Sequence, residues 1–187
     1  MRHIFLFTLA ATLTCGLNLP VGAEDKAAGE KVTLADGKLS LTAPAAWERK
    51  EPSVRIIEHE FAVPAADGDK EAGRLTIMGA GGSIEANIER WIGQFEQPDG
   101  AATKERTKRE KLTVDGQTVH MVDITGTYKD QRGPFAPAVI RDDYRMLAAI
   151  IPTEKSGQYF VKLYGPKKTI AANEKAFRAF VESLEVK

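Results

Sequence analysis

Beyond its third residue this chain offers two histidines, His59 and His120, and hydrolytic chemistry would need one of them beside a nucleophile and an orienting group. The hydroxyl in the most permissive backbone context is Ser83, which closes the run Gly79-Ala80-Gly81-Gly82-Ser83. That run lacks the Gly-x-Ser-x-Gly elbow of a serine nucleophile. It also fails as a nucleotide loop, because no Gly-Lys-Ser/Thr follows and Ile84 stands where Gly-x-Gly-x-x-Gly would end. Its free amides could cradle an anion, but the run reads first as a flexible turn into a helix capped by Ser83. Both histidines fall inside strand-like segments, His59 in phase with Ile57 and Phe61 and His120 with Val122 and Ile124, which places them in or beside a core.

Metal chemistry fares no better. Glu58-His59-Glu60 holds three ligand types, but strand alternation turns the histidine away from the two carboxylates, so the three cannot close one site alone. Asp142-Asp143 lacks the ligand spacing of a calcium loop and, flanked by Arg141 and Arg145, reads as a solvated turn. No catalytic, metal or cofactor-binding residue is assigned, and no cofactor is expected. Two groups remain as candidate binding residues. Asn87, Arg90 and Gln94 share one edge of a helical segment at i, i+3 and i+7, either to orient a ligand or to fix the helix on a sheet. Arg132, Pro134 and Phe135 sit in a proline-containing stretch from Lys129 to Asp143, where an aromatic residue in a restricted backbone could anchor a partner or fold back over the sheet end.

The elements that must position these residues follow from periodicity. Val32 to Leu34 and Leu39 to Leu41 alternate about Asp36-Gly37, and Lys111 to Val114 and Gln117 to Tyr128 flank Asp115-Gly116, so two hairpins are predicted. Val54 to Val63 and Arg74 to Met78 read as strands. Ile84, Ile88, Trp91, Ile92 and Phe95 recur at helical spacing up to Pro98-Asp99-Gly100. Met146 to Ile151 is continuously apolar, as in a central strand covered on both faces, and Tyr159 to Tyr164 is its expected neighbour. Ile170, Phe177, Phe180, Val181 and Leu184 give the apolar face of a terminal helix. The predicted class is α+β: an antiparallel β-sheet with a helix packed on each side.

The first 23 residues set the compartment. Arg2 and His3 precede an apolar run from Ile4 to Leu13, and Val21-Gly22-Ala23 offers a small-residue cleavage site, the anatomy of an export signal. Polar residues and Pro20 break the run short of the roughly 20 residues that span a bilayer. Removing the first 23 of 187 residues leaves 164, a short tether over 24–30 and one expected domain over 31–187. Cys15 leaves with the signal, so the exported domain is expected to fold without disulfide or thiolate. With Arg2 gone, 25 basic residues face 26 acidic ones, without the basic excess on which nucleic-acid binding depends.

The order hairpin, strands, helix, strands, helix resembles the PsbP-like α/β sandwich. The phrases Asn87-Ile88-Glu89-Arg90-Trp91-Ile92-Gly93-Gln94-Phe95, Tyr144-Arg145-Met146-Leu147 and Tyr159-Phe160-Val161-Lys162-Leu163-Tyr164-Gly165-Pro166 are similar to those of a branch of small exported bacterial proteins with that fold. The resemblance covers Lys31 to Lys187; it implies an α/β/α sandwich and export, and it brings no catalytic residue with it. The expected function is that of an exported, periplasmic or secreted, non-catalytic accessory or binding protein with a protein or small-molecule partner, no nucleic acid and no membrane segment after processing. The rival is a small hydrolase or ligand-modifying enzyme built on the Gly79 to Ser83 turn. Export makes a direct prediction: the intact mass of the exported protein should match a chain starting at Glu24, whereas a lipid-bearing species starting at Cys15 or a membrane-retained full-length chain would overturn it.

Overall fold

The structure is a computed structural model, and it describes residues 29–131, 137–153 and 157–187. The elements are β1 (Glu30–Leu34), β2 (Leu39–Ala43), β3 (Glu48–Lys50), β4 (His59–Val63), β5 (Gly73–Ala80), α1 (Ile84–Ile92), β6 (Phe95–Glu96), α2 (Thr103–Arg106), β7 (Lys108–Val114) and β8 (Gln117–Asp130). They continue through β9 (Val139–Pro152), β10 (Gln158–Pro166), α3 (Lys167–Ala172), α4 (Glu174–Glu182) and β11 (Glu185–Val186). The fold is α+β and mostly antiparallel. An eight-stranded sheet runs β3-β4-β5-β10-β9-β8, with β7 and β6 both pairing along β8. The export segment and the predicted tether lie outside the described residues except at their end, where β1 already begins at Glu30.

Alternation on the central strands divides the core in two. From β9, Leu147, Ala149 and Ile151 join a cluster with Tyr159, Val161 and Leu163 of β10, with β1 and β2, and with Ile170, Phe177, Phe180 and Val181 of α3 and α4. Their neighbours Met146, Ala148, Ile150 and Phe160 join a second cluster with Ile88, Trp91 and Ile92 of α1. Met146 to Ile151 is thus the buried central strand that its unbroken apolar run predicts, with β10 on one side and β8 on the other.

Several expectations need correction. The first hairpin does not join the large sheet; β1, β2 and the C-terminal β11 form a separate three-stranded sheet. Its turn is also longer than Asp36-Gly37, with positive φ at Ala35, Asp36 and Gly37. Val54 to Ile57 is a turn rather than strand, closed by a bond from Ile57 N to Val54 O, and β4 starts only at His59. Val54 and Ile56 are out of phase with the buried Phe61 and Val63, so a continuous strand would have turned the two pairs to opposite faces. Helix α1 ends at Gly93, and Phe95 enters the core from β6 instead of from the helical stripe. The terminal helix is two, broken at Asn173, whose side chain donates to Thr169 O and Pro64 O.

The stretch from Lys129 to Asp143 is not one loop either. Lys129 and Asp130 extend β8, and Val139 to Asp143 belong to β9, so Asp142-Asp143 lies in a strand and not in a turn. The sequence hid this because the register shifts between Gly126 and Tyr128, near the positive φ values of Gly126 and Asp143, and the slip breaks the period-two pattern. Gly126 is required there, since a Cβ at this residue would lie 2.5 Å from Glu96 O.

Central burial predicts the outcome of one substitution. Ile150 is 0% exposed in the second cluster, so Ile150→Asp would bury an unpaired carboxylate and should cost about 4 kcal/mol or prevent folding. A thermal melt within a degree or two of the parent would contradict this placement.

Candidate functional site

The residues singled out in the sequence go to separate places. Asn87 is buried at the start of α1, where its Nδ2 donates to Gly81 O and Ser83 O and its Oδ1 accepts from Arg90 Nη2 at 2.9 Å. Gln94 leaves the strip because the helix has already ended; its backbone carbonyl accepts from Lys129 N, and its buried Oε1 has no hydrogen-bond partner among the described residues. Arg132, Pro134 and Phe135 lie outside the described residues. Around the glycine turn, Ser83 Oγ accepts from Ala86 N as the helix cap, and Gln158 Nε2 donates to Gly82 O. Among the described residues no hydrogen bond joins Ser83 to a histidine. His59 is held by Arg49 Nη1 at Nδ1 and donates from Nε2 to Thr33 O. His120 is half-buried on β8, and burial followed by the nearby Lys111 charge lowers its pKa. Glu58 accepts from Gly79 N and Glu60 holds Arg74, so Glu58, His59 and Glu60 serve three different partners.

A different constellation gathers on the α1 side of the sheet. Strand β10 presents Phe160, Lys162 and Tyr164 to that face by alternation. Phe160 meets Trp91 of α1 edge-on at 5.1 Å. Tyr164 lies 5.6 Å from Tyr128 of β8, which stacks on Tyr144 of β9 at 6.1 Å and 11° and also meets Phe95 at 5.0 Å. Between the two ring groups stands Lys162, with Nζ 5.6 Å from the centroids of both Trp91 and Tyr164. Its cross-strand neighbours are Thr76 on β5 and Ala148 on β9, too short to fill the space above the strand.

What distinguishes Lys162 is that no carboxylate among the described residues forms an ion pair with it. The strands β5, β9 and β10 carry four cations, and three are paired. Arg74 binds both oxygens of Glu60 at 2.8 Å and donates to Tyr164 Oη. Arg145 binds both oxygens of Asp123 and one of Glu174. Arg141 reaches Glu71, which also accepts from Tyr144 Oη at 2.6 Å. Lys162 makes no ion pair or hydrogen bond among the described residues. Burial lowers its pKa to about 8; Arg90 and Arg74 push the same way, and Asp130 opposes them. The tyrosines shift in the opposite sense, with Tyr144 pushed up to about 12 by burial and by its bond to Glu71, so their hydroxyls stay protonated donors at neutral pH.

The rings of Trp91, Phe160, Phe95 and Tyr128 are buried beneath α1 and β6, so what this face leaves open is its edge, with the Lys162 ammonium beside Tyr164 and Tyr144. Tyr144, Lys162 and Tyr164 are each half-buried, and Arg90 at the helix margin is exposed. The arrangement can attract an anion to that edge. Sequence reading missed it because Lys162, Tyr128, Tyr144 and Tyr164 come from three strands and converge only through register. A signal was present: Lys162 is the one charged residue inside Tyr159 to Tyr164, a segment assigned to the sheet interior.

Structural comparison places the fold. The solution structure of cyanobacterial PsbP from Synechocystis sp. PCC 6803 superposes with a TM-score of 0.52 at 11% identity, over 93% of this chain and 98% of that one. The fold is PsbP-like. The Ran-binding protein Mog1p of Saccharomyces cerevisiae superposes with a TM-score of 0.50 at 9% identity, over 84% of this chain and 95% of that one. No protein-family model matches the sequence, and no curated protein matches it. At these identities the PsbP-like likeness concerns the backbone alone, so the site rests on its own geometry. No helix among the described residues is long and apolar enough to cross a membrane.

The charge state of Lys162 makes stability depend on pH. Its folded pKa lies below the ordinary lysine value of about 10.4, so the folded state is penalised while the amine is protonated and recovers as pH rises from 8 toward 10.4. Lys162→Met should then be more stable than the parent by about 1–2 kcal/mol at pH 7, allowing for partial solvation, and the gap should close above pH 10.5. Urea unfolding at the two pH values measures it. A destabilised Lys162→Met would mean that the amine supports the fold.

Proposed function

We propose that this chain is an exported, non-catalytic binding protein, periplasmic or secreted, and that its binding surface is the open edge of the sheet face carrying Lys162, Tyr164 and Tyr144. On this reading α1 covers one face of the large sheet, while the C-terminal helices and the small sheet cover the other, as in a PsbP-like sandwich. The observation that carries the proposal is the half-buried ammonium of Lys162, without a carboxylate partner among the described residues, a costly feature in a sheet that pairs its other central cations. The N-terminal export anatomy supports the compartment. Mog1p, a Ran-binding protein, offers a precedent for binding on this backbone. A non-catalytic role is supported by what the hydroxyl and one imidazole already do: Ser83 caps α1, and His59 bridges Arg49 to Thr33.

The test is native mass spectrometry of the exported protein purified from its own host. The parent should carry a bound species that Lys162→Met lacks while keeping its fold by circular dichroism. A species retained in full by both Lys162→Met and the double variant Tyr144→Ala/Tyr164→Ala would move the binding surface elsewhere, and a parent isolated without any bound species would count against the reading.

A further inference from the structure

We infer that His59 is an acid-sensitive latch: proton uptake at its Nδ1 expels Arg49 and loosens β1 of the small sheet from the edge of the large sheet formed by β3 and β4. His59 alternates in phase with Phe61 and Val63, on the sheet face opposite α1, so the latch stands apart from the surface carrying Lys162. Hydrogen-bond chemistry fixes the state of the ring. Arg49 Nη1 stands 2.9 Å from Nδ1 and can only donate, while Thr33 O stands 3.0 Å from Nε2 and can only accept. His59 therefore joins the two only as the neutral ring with its proton on Nε2. A second proton, on Nδ1, sets two N–H groups head to head and two positive charges side by side, and the contact to Arg49 must open.

Arg49 is held in place by two further partners. Its Nε donates to Glu30 of β1, and its guanidinium lies 4.7 Å from the ring centre of the buried Phe61. The chain of contacts leaves β1 at Glu30, crosses Arg49 of β3 and His59 of β4, and returns to β1 at Thr33. Apart from the bond from Ala35 N to Tyr159 Oη, these are the hydrogen bonds that tie β1 and the residue after it to the large sheet among the described residues. The other charged groups of the seam offer the protonated ring no ready partner. Glu30 is taken by Arg49, Glu58 accepts from Gly79 N, Glu51 lies past the end of β3, and Asp36 of the first turn acts on Tyr159. From β5 the residue opposite His59 is the uncharged Ile77. The buried Val32 and Leu34 hold β1 in the core throughout, so acid loosens the seam without unfolding the sheet.

Two measurements on the mature protein test the latch. Nitrogen-15 NMR of the imidazole should find His59 in the Nε2–H tautomer at about pH 8, and a ring protonated on Nδ1 there would overturn the assignment. Hydrogen exchange, corrected for the intrinsic effect of pH, should be at least about threefold faster in β1 and β3 at about pH 5 than at about pH 7.5, with β9 and β10 unchanged. His59→Gln supplies the same acceptor and donor without a proton to gain, so it should match the parent at the higher pH and lose the acid response. Arg49→Met should exchange faster in β1 at both values, since the latch is already open. Equal exchange in the parent at the two pH values, or an acid response retained in His59→Gln, would overturn the latch, the second by assigning the response to Glu30 or another carboxylate. Should His59→Gln fail to fold, the parent decides alone: exchange in β1 must rise over the same pH range as ring protonation, and a rise displaced from it would reject the inference.

Discussion

Everything in this molecule depends on the antiparallel pairing of β9 with β10, because those two strands supply both cores at once. Nine register pairs run from Gln158 opposite Pro152 to Pro166 opposite Tyr144, and successive residues turn to opposite faces. A slip of one residue would exchange Leu147, Ala149 and Ile151 with Met146, Ala148 and Ile150, delivering to each side the wrong shapes for the elements packed there. Small residues sit where the layers need room: Ala148 and Ala149 lie at the middle of β9, opposite the larger Lys162 and Val161 of β10. The same alternation places Lys162 on the α1 side, so the site is a consequence of the register that makes the core.

The charged residues of the sheet reinforce this pairing from its rim. Arg145 is buried at the point where β9 leaves the core, and its bidentate contact with Asp123 on β8 and its bond to Glu174 on α4 tie three elements together. A guanidinium with two carboxylates stays charged, and its pKa is raised accordingly. Arg74 acts similarly on the other side, joining β5 to Glu60 of β4 and to Tyr164 of β10. Removing either carboxylate would leave a partly buried charge uncovered, and so these contacts specify the arrangement whatever their net contribution to stability.

Much of the fold was legible because its signals are local. Six consecutive apolar residues announced the central strand, Asp115-Gly116 marked its hairpin with positive φ at both residues, and Ser83 capped α1 as its position suggested. The failures were non-local. Nothing near Val32 or Leu39 says that their hairpin will pair with Val186 and leave the large sheet. Gly93 stopped α1 although Phe95 continued the helical spacing, because Phe95 could reach the same core from β6 opposite Tyr128. The bulge at Gly126 shifted the phase of β8, so the strand residues beyond it looked like loop. For the site, spacing identified Asn87 and Arg90 as neighbours, but the tyrosines from β8, β9 and β10 meet across strands, where a single sequence carries no distance information.

Lys162 stands apart when its surroundings are compared with those of its neighbours in the same row. Across the sheet that row reads Glu60, Thr76, Lys162, Ala148, so a carboxylate lies two strands away but turns to Arg74 instead. An acidic side chain in place of Thr76 or Ala148 would sit beside the ammonium and neutralise it within the fold, as Asp123 does for Arg145. The chain instead carries a hydroxyl and a methyl there, and surrounds the amine with Trp91 and Tyr164, whose ring faces attract a cation without satisfying its three donors. An ammonium kept charged at neutral pH, half shielded from water and left with unused donors gains most from an anion that arrives from outside. Its charge therefore costs the folded state stability, and burial lowers its pKa for the same reason.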